Sequence, residues 1–269
     1  MIEIIMTGAG RSVADAILER LEGLEGDYRM RLCDGYEAAG EARRFGGRTL
    51  NIELESEVDL DAADLVLDLG GSYSGDVPRF RPQLSGVSMF DRLVPETVRD
   101  QIEGMCGSIR EPASEIEGGV EALAGQVTEL FNGRDPDPKQ FGGTLAFNGR
   151  ILDEQPLIEA LKIELGFSEA TVSLERVQSD CFYTTVVSVW LDGSTAALST
   201  IKALQTEPYR VGAGMAPDAG RVDAEAGMRI SVRDVSATRI HVHATADLER
   251  TLWAQDAYDA VCGHLERTH

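Results

Sequence analysis

The sequence predicts an α/β domain followed by an α+β domain. Three features predict it: a strand, glycine turn and helix at the start, a run of short apolar strands after them, and a changed pattern after Ser108. Residues 2–7 read as a short buried strand, Gly8-Ala9-Gly10 as a turn, and Ser12 to Leu24 as a helix with Val13, Ile17, Leu18 and Leu21 on one face. Tyr28 to Cys33, Thr49 to Leu54, Leu65 to Leu69 and Gly86 to Leu93 are expected strands, separated by polar, glycine-containing connections. This rhythm implies a mainly parallel sheet.

Beyond Ser108, Glu115 to Asn132 has a helical apolar stripe (Val120, Leu123, Val127, Leu130, Phe131), and Asn132 to Lys139 is a loop. Pro156 to Leu165 and Ser199 to Thr206 are expected helices. Ala170 to Val177 and Phe182 to Leu191 are expected strands, and Met228 to Val235 with Arg239 to Ala246 an expected strand pair. Leu248 to Arg267 is helical by spacing and is expected to return to the first domain. The reading therefore assigns residues 1–107, completed by 248–269, to one domain and 108–247 to the other. The strand Phe182 to Leu191 is apolar on both sides, so one face is expected between domains and the other at a subunit interface.

The formal net charge of −21, from 46 acidic and 25 basic residues, argues against nucleic acid and anionic membrane as partners, because such a surface repels both. Lysine occurs only at positions 139, 162 and 202, and an acidic, lysine-poor surface suits concentrated salt. Cys33, Cys106, Cys181 and Cys262 form no C-x-x-C pair, which speaks against a zinc site or a disulfide framework and for the reducing cytoplasm. Neither a signal peptide nor a membrane span is expected.

The stretch from Glu111 to Asn148 contains Glu111-Pro112-Ala113-Ser114-Glu115, a glycine-bearing helix start, Pro138-Lys139-Gln140-Phe141 and Leu145-Ala146-Phe147-Asn148. In this order it resembles the aspartate-semialdehyde dehydrogenase family, and within it the Usg-like paralogues. The resemblance implies a Rossmann-type N-terminal domain and an α+β dimerisation domain, NADP as the cofactor of active members, and a truncated, degenerate active site in this chain.

Active members open with G-A-T-G-A-V-G, whose small residues let the backbone approach the cofactor phosphates at a helix N-terminus. Here Gly8-Ala9-Gly10-Arg11-Ser12-Val13-Ala14 stands in that place. Arg11 replaces the second glycine of the motif and Ala14 the third. Gly8, Gly10, Arg11 and Ser12 are thus a vestigial cofactor loop in which Arg11 either blocks a pyrophosphate or neutralises it. The family nucleophile is the cysteine of N-P-x-C-S/T at the start of a helix. That motif is absent, and the shortness of the chain before Pro112 implies that its segment is deleted. Cys106 is the one candidate substitute, and a lone cysteine is more often inert.

Aligning the family pattern R-V-P-x-x-x-G-H-S on Arg176-Val177 puts Tyr183 at the base position, and tyrosine is a poor base at neutral pH. His241 and His243 share a strand face without a third ligand, so a surface or interface strand is expected rather than a metal site. Arg229 aligns with a substrate-binding arginine. The family's D-N-x-x-K-G-A-A-x-N reads here from Asp247 to Asp256, and Trp253 replaces a small residue, which is expected to fill the cleft.

The sequence thus points to a non-catalytic relative with no cofactor expected, acting as a homodimer or as a heteromer with another protein. The alternatives are a residual NAD(P)-dependent semialdehyde dehydrogenase using Cys106, and a nucleotide-sensing module without turnover.

Overall fold

A computed structural model describes residues 1–116, 118–206 and 227–268. The first unit comprises residues 1–82 and 249–269. It opens with β1 (Ile2–Thr7), α1 (Ser12–Leu21) and β2 (Tyr28–Asp34), followed by β3 (Ala42–Phe45), β4 (Arg48–Leu54), β5 (Leu65–Asp68) and β6 (Arg79–Phe80). The sheet order is β3-β4-β2-β1-β5-β6, parallel except where β3 meets β4. The chain leaves β1 in one direction for β2 and in the other for β5. The carboxyl ends of these two strands therefore flank the switch point, the place where open α/β sheets bind ligands. Ile4, Ile5, Met6, Leu32, Val66 and Leu67 are buried on both faces, and each such side chain contributes roughly 1.5–3 kcal/mol through apolar burial.

The second unit spans residues 83–248. It contains α2 (Ser85–Leu93), β7 (Ile102–Glu111), α3 (Gly119–Phe131), β8 (Gly149–Leu152), α4 (Gln155–Glu164), β9 (Thr171–Ser179), β10 (Thr184–Gly193), α5 (Thr195–Lys202), β11 (Met228–Ser236) and β12 (Arg239–Asp247). Its sheet runs β11-β12-β10-β7-β9-β8, with β7 and β9 parallel and the other pairs antiparallel. Thr185, Val187, Val189 and Leu191 form the buried face of β10 and meet α2 and α5 of the same unit. The expectation that the domains cover this face is thus corrected: the unit's own helices do. On the other face of β10, Thr184 and Val186 are buried, whereas Trp190 is 37% exposed.

Two expected boundaries shift. Gly86 to Leu93 is helical rather than extended. Seven of the nine α2 residues are buried, so the segment lacks the polar face that marks a helix in a sequence. Gly86 sits where a Cβ would lie 2.6 Å from Leu157 of α4 and 2.8 Å from Ile109 of β7, so α2 can pack this closely only without a side chain there. The division at 107/108 falls inside β7, a strand whose glycines disguise it; the units part at Pro82 and Gln83. Gly107, at φ 152, leaves room for β10, since a Cβ would come within 2.2 Å of the Ser188 carbonyl oxygen. The helix expected from Ser199 begins at Thr195, because the Ser194 hydroxyl caps the Ala197 amide at 3.1 Å.

After β12 a π-helical turn, Leu248–Trp253, leads into α6 (Ala254–Thr268), which packs on α1 within the first unit. No helix among the described residues is long and apolar enough to cross a membrane.

Candidate functional site

Gly8 adopts φ 64, and a Cβ on it would stand 2.6 Å from the Gly70 amide, so the turn after β1 requires glycine. Two groups that a phosphate would seek are already engaged. The Gly10 amide donates to Asp34 Oδ2 at 2.6 Å, and Ser12 Oγ, at the start of α1, donates to Glu249 Oε2 at 2.7 Å. Two carboxylates of the chain itself therefore occupy the electropositive helix start. Arg11 is engaged within the unit: its Nη1 donates to the Leu69 carbonyl at 2.5 Å. Arg43 bonds the carbonyls of Ala9 and Gly10 at 3.3 and 3.1 Å and pairs with Asp15 at 3.3 Å.

Sequence reasoning missed Asp34, Arg43 and Glu249. Asp34 was the most legible of them, because an acid closing the second strand of a Rossmann unit is where a ribose hydroxyl is read. Beneath the loop lies Asp68, fully buried, whose Oδ1 accepts from Thr7 Oγ1 at 2.9 Å and from the Ser72 amide at 3.2 Å.

After β6 the chain reads Arg81-Pro82-Gln83-Leu84-Ser85 and enters α2, as the family motif N-P-x-C-S/T enters its helix. Pro82 and Ser85 match the proline and serine of that motif, and Leu84 stands between them. It is the N-cap residue of α2 and 37% exposed. Ser85 Oγ donates to Glu115 Oε1. The neighbouring Ala113 and Ser114 amides donate to the Cys181 and Phe182 carbonyls at 2.8 and 3.0 Å. The helix start, the Pro-Ala-Ser-Glu run and the segment before Tyr183 thus share one neighbourhood of the second unit. Arg176 fixes it: Nε meets Glu111 Oε1 at 2.6 Å, and Glu111 is 2% exposed by its side chain. Gln178 Nε2 adds bonds to the Glu111 and Pro112 carbonyls at 3.1 and 2.6 Å.

No family model matches the sequence. A USG-1 protein homologue of Azotobacter vinelandii is 25% identical over 254 residues, covering 72% of this chain and 75% of that protein. A probable aspartate-semialdehyde dehydrogenase of Pseudomonas aeruginosa superposes with a TM-score of 0.80 at 17% identity, over 100% of this chain and 99% of the other. The chain has the aspartate-semialdehyde dehydrogenase fold. Aspartate-semialdehyde dehydrogenase II of Vibrio cholerae, solved with ASA, gives a TM-score of 0.76 at 18% identity over 100% and 99% of the two chains. The Candida albicans enzyme, solved with NADP, gives 0.62 at 9% identity over 99% and 100%.

Cys106 is half-buried in mid-β7, in register with Trp190 of β10, and so lacks a helix start to activate it. Tyr183 is half-buried just before β10, its ring 6.4 Å from that of Phe182. His241 and His243 of β12 sit opposite Trp190 and Ser188. His241 Nε2 and Ser188 Oγ are 3.0 Å apart, and the His241 ring packs on Trp190 at 4.6 Å. Burial, reinforced by nearby cations, holds both imidazoles below their ordinary pKa. Among the described residues no group of three histidine, cysteine or acidic side chains could hold a metal. Arg229 of β11 is in register with Thr245. In the closing segment Trp253 is buried, and Glu249 reaches Ser12.

Proposed function

We propose that this chain is a non-catalytic aspartate-semialdehyde dehydrogenase-like protein that acts by association, as a homodimer or with another protein, through its second domain. The observation that carries the reading is the pair of carboxylates on the phosphate loop, Asp34 on the Gly10 amide and Glu249 on the Ser12 hydroxyl. Each would have to yield before a pyrophosphate could bind. Leu84 in the nucleophile position and Tyr183 in the base position support it, since neither can supply the thiolate or the neutral-pH base that aldehyde oxidation requires. NADP, held by the Candida albicans neighbour, is the cofactor that a residual activity would need. The free cysteines are consistent with a reducing, cytoplasmic setting.

The test is isothermal titration of the full chain with NADP and with NAD, with mass by light scattering on the same sample. A dimer that gives no binding heat supports the reading. Micromolar binding overturns it, and turnover of aspartate semialdehyde would then decide between an enzyme and a nucleotide sensor.

A further inference from the structure

The carboxyl edge of the first sheet, where the switch point lies, gathers carboxylates. Asp34 closes β2, Glu55 follows β4 and Asp68 closes β5. Cys33 reports the resulting field: after burial, Glu55, Asp34 and Glu53 are what push its thiol up to about 12. Ser72 ties two of these carboxylates together, its amide donating to Asp68 Oδ1 at 3.2 Å and its hydroxyl to Glu55 Oε1 at 2.8 Å.

Asp68 is fully buried, and its two oxygens are served unequally. Oδ1 accepts from Thr7 Oγ1 and from the Ser72 and Tyr73 amides, at 2.9, 3.2 and 3.4 Å. Oδ2, equally shut off from solvent, has no hydrogen-bond partner. The arginines that reach this turn are used elsewhere: Arg11 donates to the Leu69 carbonyl, and Arg81 lies against Gly71. A buried carboxylate is tolerated when something balances it, and an orphaned oxygen of this kind marks the place where that partner belongs.

The surroundings restrict what the partner is. Gly8 and Gly70 approach so closely that a Cβ on Gly8 would stand 2.6 Å from the Gly70 amide, which leaves room for a small ion and none for a bulky one. One carboxylate balances one positive charge. The hydroxyl and backbone carbonyl oxygens of these turns are the kind of ligand that hard cations take, and among the described residues no three histidine, cysteine or acidic side chains converge as they would around a chelated multivalent metal.

We propose that Asp68 Oδ2 anchors a site for a small monovalent cation, sodium or potassium, under the glycine turns that follow β1 and β5. The site is independent of the association reading, which concerns the second domain.

Thermal melts of the full chain in sodium, potassium and tetramethylammonium chloride at equal ionic strength test it, on wild type, Asp68→Asn and Glu55→Gln. Tetramethylammonium screens surface charge as the others do but is too large to enter. Wild type should melt at least about 3 °C higher in sodium or potassium than in tetramethylammonium, and the ion giving the larger rise is the ligand. Asp68→Asn should show no such difference. Glu55→Gln keeps the anchor but loses a nearby charge, so it should keep the difference while raising the half-saturating concentration roughly threefold. Equal wild-type melting in all three salts, or a difference that Asp68→Asn retains, overturns the site. Should Asp68→Asn fail to fold, the sodium NMR line decides: broadening by wild type that potassium reverses and tetramethylammonium does not supports the site, and its absence overturns it. None of these outcomes touches the NADP titration or the dimer mass, so the association reading stands or falls separately.

Discussion

Leu84 stands at the head of α2, a helix whose first-turn amides would stabilise a thiolate. The position therefore retains an electrostatic property that its present side chain does not use. Leu84→Cys should react with an aromatic disulfide about tenfold faster than any native cysteine, followed by absorbance in a stopped flow. It should still oxidise no aldehyde, because the phosphate loop and the base position remain unchanged. Cys33 gives the contrast: burial, then the acids Glu55, Asp34 and Glu53, push its thiol up to about 12, so it should be the slowest to react. Equal rates for the new and native thiols would show that Leu84 does not lie at an activating helix end.

At the scale of elements, the second unit is tied at the junction of β7 and β9 by one buried ion pair. Arg176 reaches across from β9 to Glu111 at the end of β7, at 2.6 Å, with side-chain exposures of 16% and 2%. Removing the guanidinium alone leaves an uncompensated buried carboxylate, so Arg176→Ala should lower stability by about 3–5 kcal/mol in urea unfolding. Arg176→Met with Glu111→Leu should recover most of that loss, because neither charge is then stranded. A double variant as weak as the single one would mean that packing, rather than charge, is what Arg176 supplies. Much of this element was legible beforehand: β9, β11 and β12 came from alternation. α2 and β7 did not, since complete burial erases a helix's polar face and Gly104 with Gly107 interrupts the alternation of a strand.

For the whole molecule, acid sensitivity is set by the two imidazoles of β12 as well as by the many carboxylates. Burial, with Arg233 and His243 acting on His241 and Arg110 acting on His243, holds both below the ordinary value of 6.5. Between those depressed values and 6.5 the unfolded chain takes up protons that the folded chain does not. The stability they support is full above about pH 6.5 and is lost as pH falls through the window beneath it. Melting temperatures from pH 7.5 down to about 5 should decline, and His243→Gln should flatten the decline; an unchanged slope in the variant would exclude His243 as a source. By itself the sequence determined the α/β rhythm of the first domain and the family resemblance from Glu111 to Asn148, because periodicity and ordered motifs are local properties. Tertiary structure decided what occupies the phosphate loop: Asp34 and Glu249 are 24 and 237 residues from the groups they bind, and no local pattern encodes such pairings. It also decided that Gly86 to Leu93 is a helix headed by Leu84 rather than a strand, because complete burial hides that helix's polar face from the sequence.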